Sequence, residues 1–359
     1  MSVPLPRSRA LWLVLALVFA VLGAVVPSAM AHERGVLYTQ TNDPAGNAVQ
    51  RFDRAADGSL SPAGTFATGG AGLASLGGRQ GAVALSGDGR NLYAVNAGSG
   101  SVSAFRVGRH RTVLLGSVPS GGVAPDSVHE DRGRVYVLNS GGTPSVAAFW
   151  RRFDGSLKAI PGGKRALALG ADGAAQVSVT PDGRSLVVTE RLANRIETLR
   201  LDRLGRPGAP VVTPSSGAVP FGFAITRRGD VVVSEAGAST VSSYREGAAG
   251  ALRTVTASLP VGFGAACWVA VSPDGRLAYT GNASGSISGF AIARDGSLKA
   301  IGTTTTPSPR DLAFDASGRH LLAVSPTGQV TSYRVGRDGS LSLVGSAPAA
   351  AGITGAAAE

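Results

Sequence analysis

The chain has 359 residues, with 51 glycines, a single cysteine and a formal net charge of +11 at pH 7. One cysteine excludes an internal disulfide, so stability outside a cell would have to come from packing. The positive charge is spread over turns and strand ends without a dense basic run, and aromatic residues make up only 6% of the chain, which argues against a nucleic-acid-binding protein.

The first 31 residues have the pattern of a secretory signal peptide. Arg7 and Arg9 form a basic start, residues 11–26 are continuously apolar, and Ala29-Met30-Ala31 provides small residues at a cleavage site. The apolar stretch of 16 residues is short for a membrane-spanning helix. We therefore expect a secreted or cell-envelope protein that begins at His32 and has no membrane span after cleavage.

From there on, one phrase recurs: an apolar run, a turn such as Ser-Pro-Asp-Gly-Arg, a second apolar run, and Asn or Glu. The ends of successive copies are 43 to 54 residues apart. Copies lie at residues 81–96, 127–139, 176–190, 223–235, 268–282 and 311–325, with a partial copy at 35–42. A period in the forties with several short strands per unit indicates a β-propeller. The prediction is an all-β fold, a single seven-bladed domain over residues 32–359 with four-stranded antiparallel blades.

The second unit shows how each blade is expected to divide into strands. Residues 81–86, 91–96, 101–107 and 112–118 are apolar runs separated by turn residues. Asp-Gly between two such runs supplies the positive φ of a tight hairpin. The first unit lacks its innermost strand, whereas an unassigned strand-like piece follows the last unit at residues 351–356. We expect this C-terminal strand to join the first blade and close the ring.

Positions that share a phase in the repeat should converge around the central channel, where ring-shaped folds bind small molecules. Second strands end in Glu in two adjacent units and mostly in Asn elsewhere. Inner strands begin at polar or aromatic residues in several units. The candidate site residues are Asp126, Gln176, Trp268, Arg310 and Asp311 at the inner strands, and Glu190 and Glu235 at the ends of second strands.

Each candidate also has a structural interpretation. The terminal Asn and Glu side chains could cap turns, and Glu190 could form an ion pair with Arg191. Asp311 could pair with the adjacent Arg310, and Trp268 could simply pack in the core. Cys267 is expected to be a small buried apolar residue, because no histidine is near it in sequence.

Several long phrases resemble a known family. QGAVALSGDGRNLYAVNAGSGSVSAF and CWVAVSPDGRLAYTGNASGSIS are similar to the seven-bladed lactonase-type propellers, which include 6-phosphogluconolactonases and fungal carboxymuconate cyclases, over essentially the whole chain after residue 31. The family's presumed catalytic motif reads Gly-Pro-Arg-His, then a strand and turn, then Asn-Glu. Glu190 matches its last residue, whereas Ala175 and Gln176 occupy the Arg and His positions, and Asp126 occupies another family His position.

The resemblance implies an exported hydrolase of lactone-type esters. One carboxylate would activate water, Arg310 would stabilise the carbonyl oxygen, and Gln176 and Trp268 would bind the substrate. The candidate bases are Glu190, Glu235, Asp126 and Asp311, and a Ca²⁺ or Mg²⁺ ion could assist. The alternative is a non-catalytic propeller that binds a small molecule in its channel or a protein of the cell envelope. A monomer is expected.

Overall fold

The structure is a computed structural model that describes residues 1–2, 35–73, 80–109, 111–168, 170 and 173–359. Residues 33–359 form one compact unit. The predicted signal peptide lies outside the described residues apart from its first two, and it stays a prediction. Across the described residues, no helix has the length and hydrophobicity needed to cross a membrane.

The described part of this unit consists of seven four-stranded antiparallel sheets, which are the blades of a propeller. The first three blades contain β1 (Gly35–Gln40), β2 (Ala48–Arg54), β3 (Leu60–Ala67), β4 (Val83–Leu85), β5 (Asn91–Asn96), β6 (Ser101–Val107), β7 (Thr112–Pro119), β8 (Val123–Asp131), β9 (Arg134–Gly141), β10 (Ser145–Arg151) and β11 (Leu157–Ala166). Blades 4 and 5 contain β12 (Ala174–Val179), β13 (Ser185–Glu190), β14 (Arg195–Leu201), β15 (Pro207–Pro214), β16 (Pro220–Ile225), β17 (Asp230–Glu235), β18 (Thr240–Glu246) and β19 (Leu252–Pro260). Blades 6 and 7 contain β20 (Ala266–Val271), β21 (Leu277–Asn282), β22 (Ser286–Ile292), β23 (Leu298–Thr305), β24 (Asp311–Phe314), β25 (His320–Ser325), β26 (Gln329–Val335) and β27 (Leu341–Pro348), and the chain ends with β28 (Thr354–Ala358). The predicted fold class is confirmed.

The Asp-Gly turns form the hairpins that the sequence predicted. In blade 4, Gly183 has a φ of +73°, which costs a glycine little. The Asp182 carboxylate accepts hydrogen bonds from the Thr180 hydroxyl at 2.7 Å and from the Arg184 backbone N–H at 3.0 Å. The aspartate thus ties the turn together while the glycine provides its backbone conformation.

The core lies between the blades, because each sheet is buried on both faces by its neighbours. Between blades 2 and 3, for example, Tyr93 and Val95 of β5 pack in one cluster with Val135 and Val137 of β9. Burying a large apolar side chain of this kind contributes about 1.5–3 kcal/mol. The stacking therefore stabilises a chain that has no disulfide.

Ring closure occurs as predicted, through the C-terminal strand. β28 is the innermost strand of the first blade and pairs with β1, with Tyr38 opposite Ala357. The strand begins at Thr354, three residues later than expected, because Gly352 forms a turn with a φ of +77° and donates its N–H to the Pro326 carbonyl. Both ends of the propeller chain are thus held in one sheet.

Candidate functional site at the channel mouth

Inner strands begin and second strands end on the same face of the ring, which we call the mouth face. The turns on the opposite face, which we call the turn face, join the third to the fourth strand in every blade and the first to the second strand in blades 2 to 7. All seven candidate residues lie at or directly beside strand ends on the mouth face. The structure therefore allows their surroundings to be compared directly.

Blade 3 is offset by one residue from the phase that the sequence suggested. In β8 the pairing skips Asp126, so Ser127 is the residue equivalent to Gln176 of β12. The reason is the length of the turn after the inner strand: blade 3 has the two-residue turn Arg132–Gly133, whereas blade 4 has the four-residue turn Pro181–Arg184. Equivalent positions were assigned from the sequence by counting back from the turn, and in blade 3 this count reaches one residue too far. Asp126, which is 4% exposed, therefore lies at a bulge that re-aims its side chain. The equivalent positions in other blades are Ala175, Phe221, Cys267 and Arg310.

Gln176 bridges two blades. Its side-chain N–H donates to the Phe223 carbonyl at 2.9 Å, and its side-chain oxygen accepts the Phe223 N–H at 2.6 Å. The amide therefore satisfies a backbone N–H and a backbone C=O of β16, groups that are costly to leave unpaired when buried. Its hydrogen-bonding groups face protein, and the predicted role in substrate binding stays a prediction.

The same bridge recurs between blades 5 and 6, but another part of the chain supplies it. Blade 5 has Gly222 at the position of Gln176. The side chain of Gln80 accepts the Val269 N–H at 2.9 Å and donates to the Val269 carbonyl. A Cβ atom on Gly222 would lie only 2.0 Å from the Gln80 side-chain oxygen. The glycine thus makes room for a glutamine that reaches across from the second blade.

Asp311 joins three blades through backbone hydrogen bonds. Its carboxylate accepts the N–H groups of Leu312 at 2.8 Å, Ala356 of β28 at 2.9 Å and Gly81 at 3.4 Å. Burial raises the pKa of Asp311 to about 7, although these three hydrogen bonds act in the opposite direction. Asp311 therefore anchors the closing strand, and its proposed ion pair with Arg310 does not form among the described residues.

Glu235 is fully enclosed by neutral donors. It is 0% exposed and accepts the Gly217 N–H at 2.7 Å, together with the hydroxyls of Thr240 at 2.5 Å, Ser242 at 2.6 Å, Ser215 at 3.2 Å and Tyr244 at 3.3 Å. This carboxylate holds the chain between β15 and β16 in place. The described structure leaves it no route to a substrate, and its predicted catalytic role stays a prediction.

Glu190 belongs to a buried charged trio, and its ion-pair partner is Arg195 rather than Arg191. Arg195 Nε lies 3.1 Å from Glu190 Oε2, and the same guanidinium lies 3.2 Å from Glu197 Oε1. Both glutamates are 0% exposed. Burial, a hydrogen bond with Glu190 and the negative charge of Glu190 together raise the pKa of Glu197 to about 8. Glu197 therefore retains its proton at neutral pH, and its carboxyl group accepts the Ala168 N–H at 3.0 Å.

Four side chains from four consecutive blades form a line at the mouth face, which we call the arginine–aromatic ladder. Arg191 lies over the Phe221 ring with its Cζ atom 5.1 Å from the centroid, and the Phe221 and Trp268 centroids are 5.9 Å apart in a T-shaped arrangement. Arg310 Cζ lies 5.7 Å from the centroid of the Trp268 ring. Each guanidinium–ring contact contributes about 0.5–1 kcal/mol at an exposed site. The ladder therefore brings two fixed positive charges to one side of the channel mouth.

Two donors of the ladder are buried and have no hydrogen-bond acceptor within the described part of the chain: Trp268 Nε1–H and Arg310 Nε–H. Native proteins rarely leave such groups unpaired, so each requires an explanation such as a ligand or ordered water. Cys267 lies next to them. Burial raises the pKa of its thiol to about 11 even though Arg310 and Arg191 lower it. The thiol is thus protonated at neutral pH, as expected for a packed residue.

Three residues of this region were missed as site candidates: Arg191, Phe221 and Gln80. A signal for Arg191 was present, since the second strands of other blades are followed by small residues such as Ala97, Ala236 and Ala283. Phe221 could not be distinguished from a core aromatic. Gln80 had no signal, because it lies outside the repeated phrase and acts 189 residues away.

The donor set does not match a metal centre. Over the described ranges, no group of three or more His, Cys, Asp or Glu side chains is placed to hold a metal ion. Glu235 and Asp311 direct their carboxylate oxygens to protein donors, and Glu190 directs Oε2 to Arg195. The Ca²⁺ or Mg²⁺ ion considered from the sequence therefore enters no step proposed below.

Comparison with known proteins adds a family and a set of similar folds. The family model described as "Lactonase, 7-bladed beta-propeller" matches residues 155–269 and 264–354. No curated protein matches the chain. A proposed 6-phosphogluconolactonase from Bacteroides fragilis is 18% identical, with a TM-score of 0.76, and the match covers 93% of this chain and 99% of that one.

Two further structures show how widely the fold extends. The periplasmic gluconolactonase of Pseudomonas aeruginosa is 20% identical, with a TM-score of 0.73 and coverage of 90% of this chain and 98% of that one. Hydrazine synthase from Kuenenia stuttgartiensis matches at 16% identity and a TM-score of 0.59, covering 83% and 94%. At such identities the structural matches show the fold alone.

Proposed function

Because the chain belongs to the family of seven-bladed β-propeller lactonases, we propose that it is a hydrolase that opens a lactone or related cyclic ester at its channel mouth. The observation that carries this proposal is the pair of buried donors without acceptors, Trp268 Nε1–H and Arg310 Nε–H. They belong to adjoining members of the ladder. An ester carbonyl oxygen bound between them would accept both hydrogen bonds, and these would strengthen as the oxygen becomes negative.

The reaction needs water, a base and a stabilised oxyanion. In our proposal, water adds to the ester carbonyl carbon while Asp126 accepts its proton, and the carbonyl oxygen becomes an oxyanion held by Arg310 and Trp268. The carbon–oxygen bond of the ring then breaks, and the ring oxygen leaves as a hydroxyl after taking the proton back from Asp126. The products are one hydroxy acid and the regenerated enzyme.

Asp126 is preferred as the base over the other predicted carboxylates. Glu190 and Glu235 are 0% exposed and already bonded to protein donors, and Asp311 anchors β28. Asp126 lies at a bulge at the position that Arg310 and Phe221 occupy in their own blades. In our proposal Arg191, over the opposite end of the ladder, attracts the carboxylate product and any anionic group on the substrate.

The test is turnover of a panel of five- and six-membered lactones by the purified protein. Removing one oxyanion donor costs about 10²–10³ in kcat, and we expect Arg310→Gln to fall in that range. Trp268→Phe keeps the ring and removes only the Nε1–H donor, so it should lower kcat with less effect on KM. Asp126→Asn removes the general base and should lower kcat by about 10²–10⁴. Arg184→Gln is the matched control, because this arginine is 74% exposed on the turn face. No turnover of any lactone, or equal rates for Arg310→Gln and the control, would refute the proposal.

The second candidate is a non-catalytic binding module of the cell envelope. It is supported by the use of Gln176 as a bridge at the position of the family's histidine and by the burial of Glu190. In that case the same ladder would bind a hydroxy acid or another carboxylate without turnover. Calorimetry with hydroxy acids separates the two: Arg310-dependent binding without hydrolysis of the corresponding lactone favours the module.

Export is part of both proposals, and it rests on the predicted signal peptide over residues 1–31. The N-terminal sequence of the protein recovered from an expressing cell checks it. A mature chain that starts at His32 is the expected result.

A further inference from the structure

The turn face carries a concentration of arginine side chains at the junction of blades 4 and 5. A cleft of about 420 Å³ is lined there by five arginines, Arg184, Arg200, Arg227, Arg228 and Arg245, and by only two acidic residues. By contrast, the cleft between blades 1 and 2 is lined by four arginines and three acidic side chains. The excess of positive charge is thus a local property of this part of the turn face.

Three of these arginines are held in place by their neighbours. Asp230, which is 0% exposed, forms ion pairs with Arg228, at 3.4 Å, and with Arg245. Arg200 lies 3.6 Å from Glu246 and donates to the Ala248 carbonyl at 2.9 Å. Because a guanidinium has five N–H donors, each of the three retains donors that are not used by these contacts.

Two other arginines of the cleft are only loosely engaged. Arg184 is 74% exposed, and its nearest acidic atom is 3.9 Å away in Asp182. Arg227 is exposed and forms no ion pair among the residues that the structure describes. The cleft therefore combines guanidinium groups held in place by neighbours with two exposed ones, an arrangement suited to phosphate oxygens.

The positive surface continues into a second cleft of about 540 Å³, which shares Arg228 with the first. Arg276, Arg294 and Arg337 also line it, against one acidic residue, Asp338. Together the two clefts present eight arginines and three acidic side chains along a path from blade 4 to blade 7. A path of this kind fits an extended ligand with repeated negative charges better than a single small anion.

The lining also distinguishes between kinds of polyanion. Among the described residues, neither cleft is lined by a Phe, Trp, Tyr or His side chain, so nucleic-acid bases would find no stacking surface. The arginines line concave clefts, which a flexible chain can enter and a planar bilayer cannot. We propose that the two clefts form one groove that binds an extended phosphate polymer through its backbone charges.

Binding of inorganic polyphosphate to the full-length protein, followed by fluorescence anisotropy or calorimetry, tests this groove. The groove variant combines Arg184→Gln, Arg227→Gln and Arg294→Gln, all exposed positions. The matched control combines Lys158→Gln, Arg253→Gln and Lys299→Gln, which removes the same charge from exposed outer-strand positions outside both clefts. We expect the groove variant to lose about tenfold or more in affinity and the control to lose little. With about four phosphate contacts, affinity should also fall roughly 50-fold between about 50 and 200 mM salt.

Three results would overturn the proposal: no binding of polyphosphate at low salt, equal loss of affinity in the two triple variants, or tighter binding of single-stranded DNA or of phosphatidylglycerol vesicles than of polyphosphate. Thermal melting shows whether both variants remain folded. Because the groove lies on the face opposite the ladder, lactone turnover should be the same in the groove variant and the control.

Discussion

Blades 4 and 5 have the same order of four strands and the same type of residue at the end of the second strand, yet they differ at the channel mouth. In blade 4, Gln176 forms the bridge to the next blade and Glu190 lies in a charged trio with Arg195 and Glu197. In blade 5 the equivalent residue is Gly222, which has no side chain to form the bridge, so Gln80 forms it instead. Glu235 is surrounded by neutral donors. A sequence repeat thus fixes the backbone, while the chemistry of equivalent side chains depends on what distant segments bring to them.

The largest difference should appear when the two glutamates are removed. Glu235→Ala leaves the Gly217 N–H and several hydroxyls buried without their acceptor, and we expect a loss on the order of 3–5 kcal/mol in the free energy of unfolding. Glu190→Ala leaves Glu197 next to Arg195 and removes the negative charge that raises the pKa of Glu197. Glu197 can then ionise and pair with the arginine, so the variant should cost only about 1 kcal/mol. Chemical denaturation of both variants at pH 7 measures the difference. Equal losses would show that the two environments are equivalent after all.

A second expected effect concerns the space that Gly222 provides. A Cβ atom at this position would lie 2.0 Å from the Gln80 side chain and 2.4 Å from the Cys267 carbonyl oxygen. Gly222→Ala should therefore cost roughly 2–3 kcal/mol. Gly46→Ala is the control, since its Cβ atom would meet nothing within 4 Å. Adding Gln80→Ala to Gly222→Ala should recover only part of the loss, because the Cys267 backbone clash remains; full recovery would contradict this geometry.

The two glutamine bridges can be compared directly. Gln176→Ala and Gln80→Ala each leave one N–H and one C=O of the neighbouring inner strand unpaired. The expected cost is about 1–3 kcal/mol for each, with no change in the denaturant m-value. If Gln176→Ala lowers the free energy of unfolding and Gln80→Ala does not, the bridge that Gln80 forms does not contribute to stability.

The same contrast explains how much could be predicted from the sequence. The blades, their hairpins and the closing strand follow from local patterns, Asp-Gly turns and alternating apolar runs, and these were confirmed. The arginine–aromatic ladder was only partly accessible: Trp268 and Arg310 were among the candidates, whereas Phe221 and Arg191 were not. The bridge from Gln80 could not be predicted at all, because it joins positions 189 residues apart. In blade 3, a turn shorter by two residues displaced the alignment at Asp126.

The last expected effect is a dependence of stability on pH that arises in blade 4. The pKa of Glu197 is raised from 4.5 to about 8 in the folded protein, so the folded state retains a proton that the unfolded chain has lost. Its contribution to stability is therefore complete below pH 4.5 and is lost as the pH rises through about 8. Glu197→Gln cannot titrate and can still donate to Glu190, so the variant should gain stability relative to the native protein as the pH rises from 5 to 9. Melting temperatures of the two proteins measured across this range provide the test. A difference in melting temperature that stays constant with pH would show that Glu197 is not the titrating group. Asp311, whose pKa is raised to about 7, would then account for the pH dependence of the native protein.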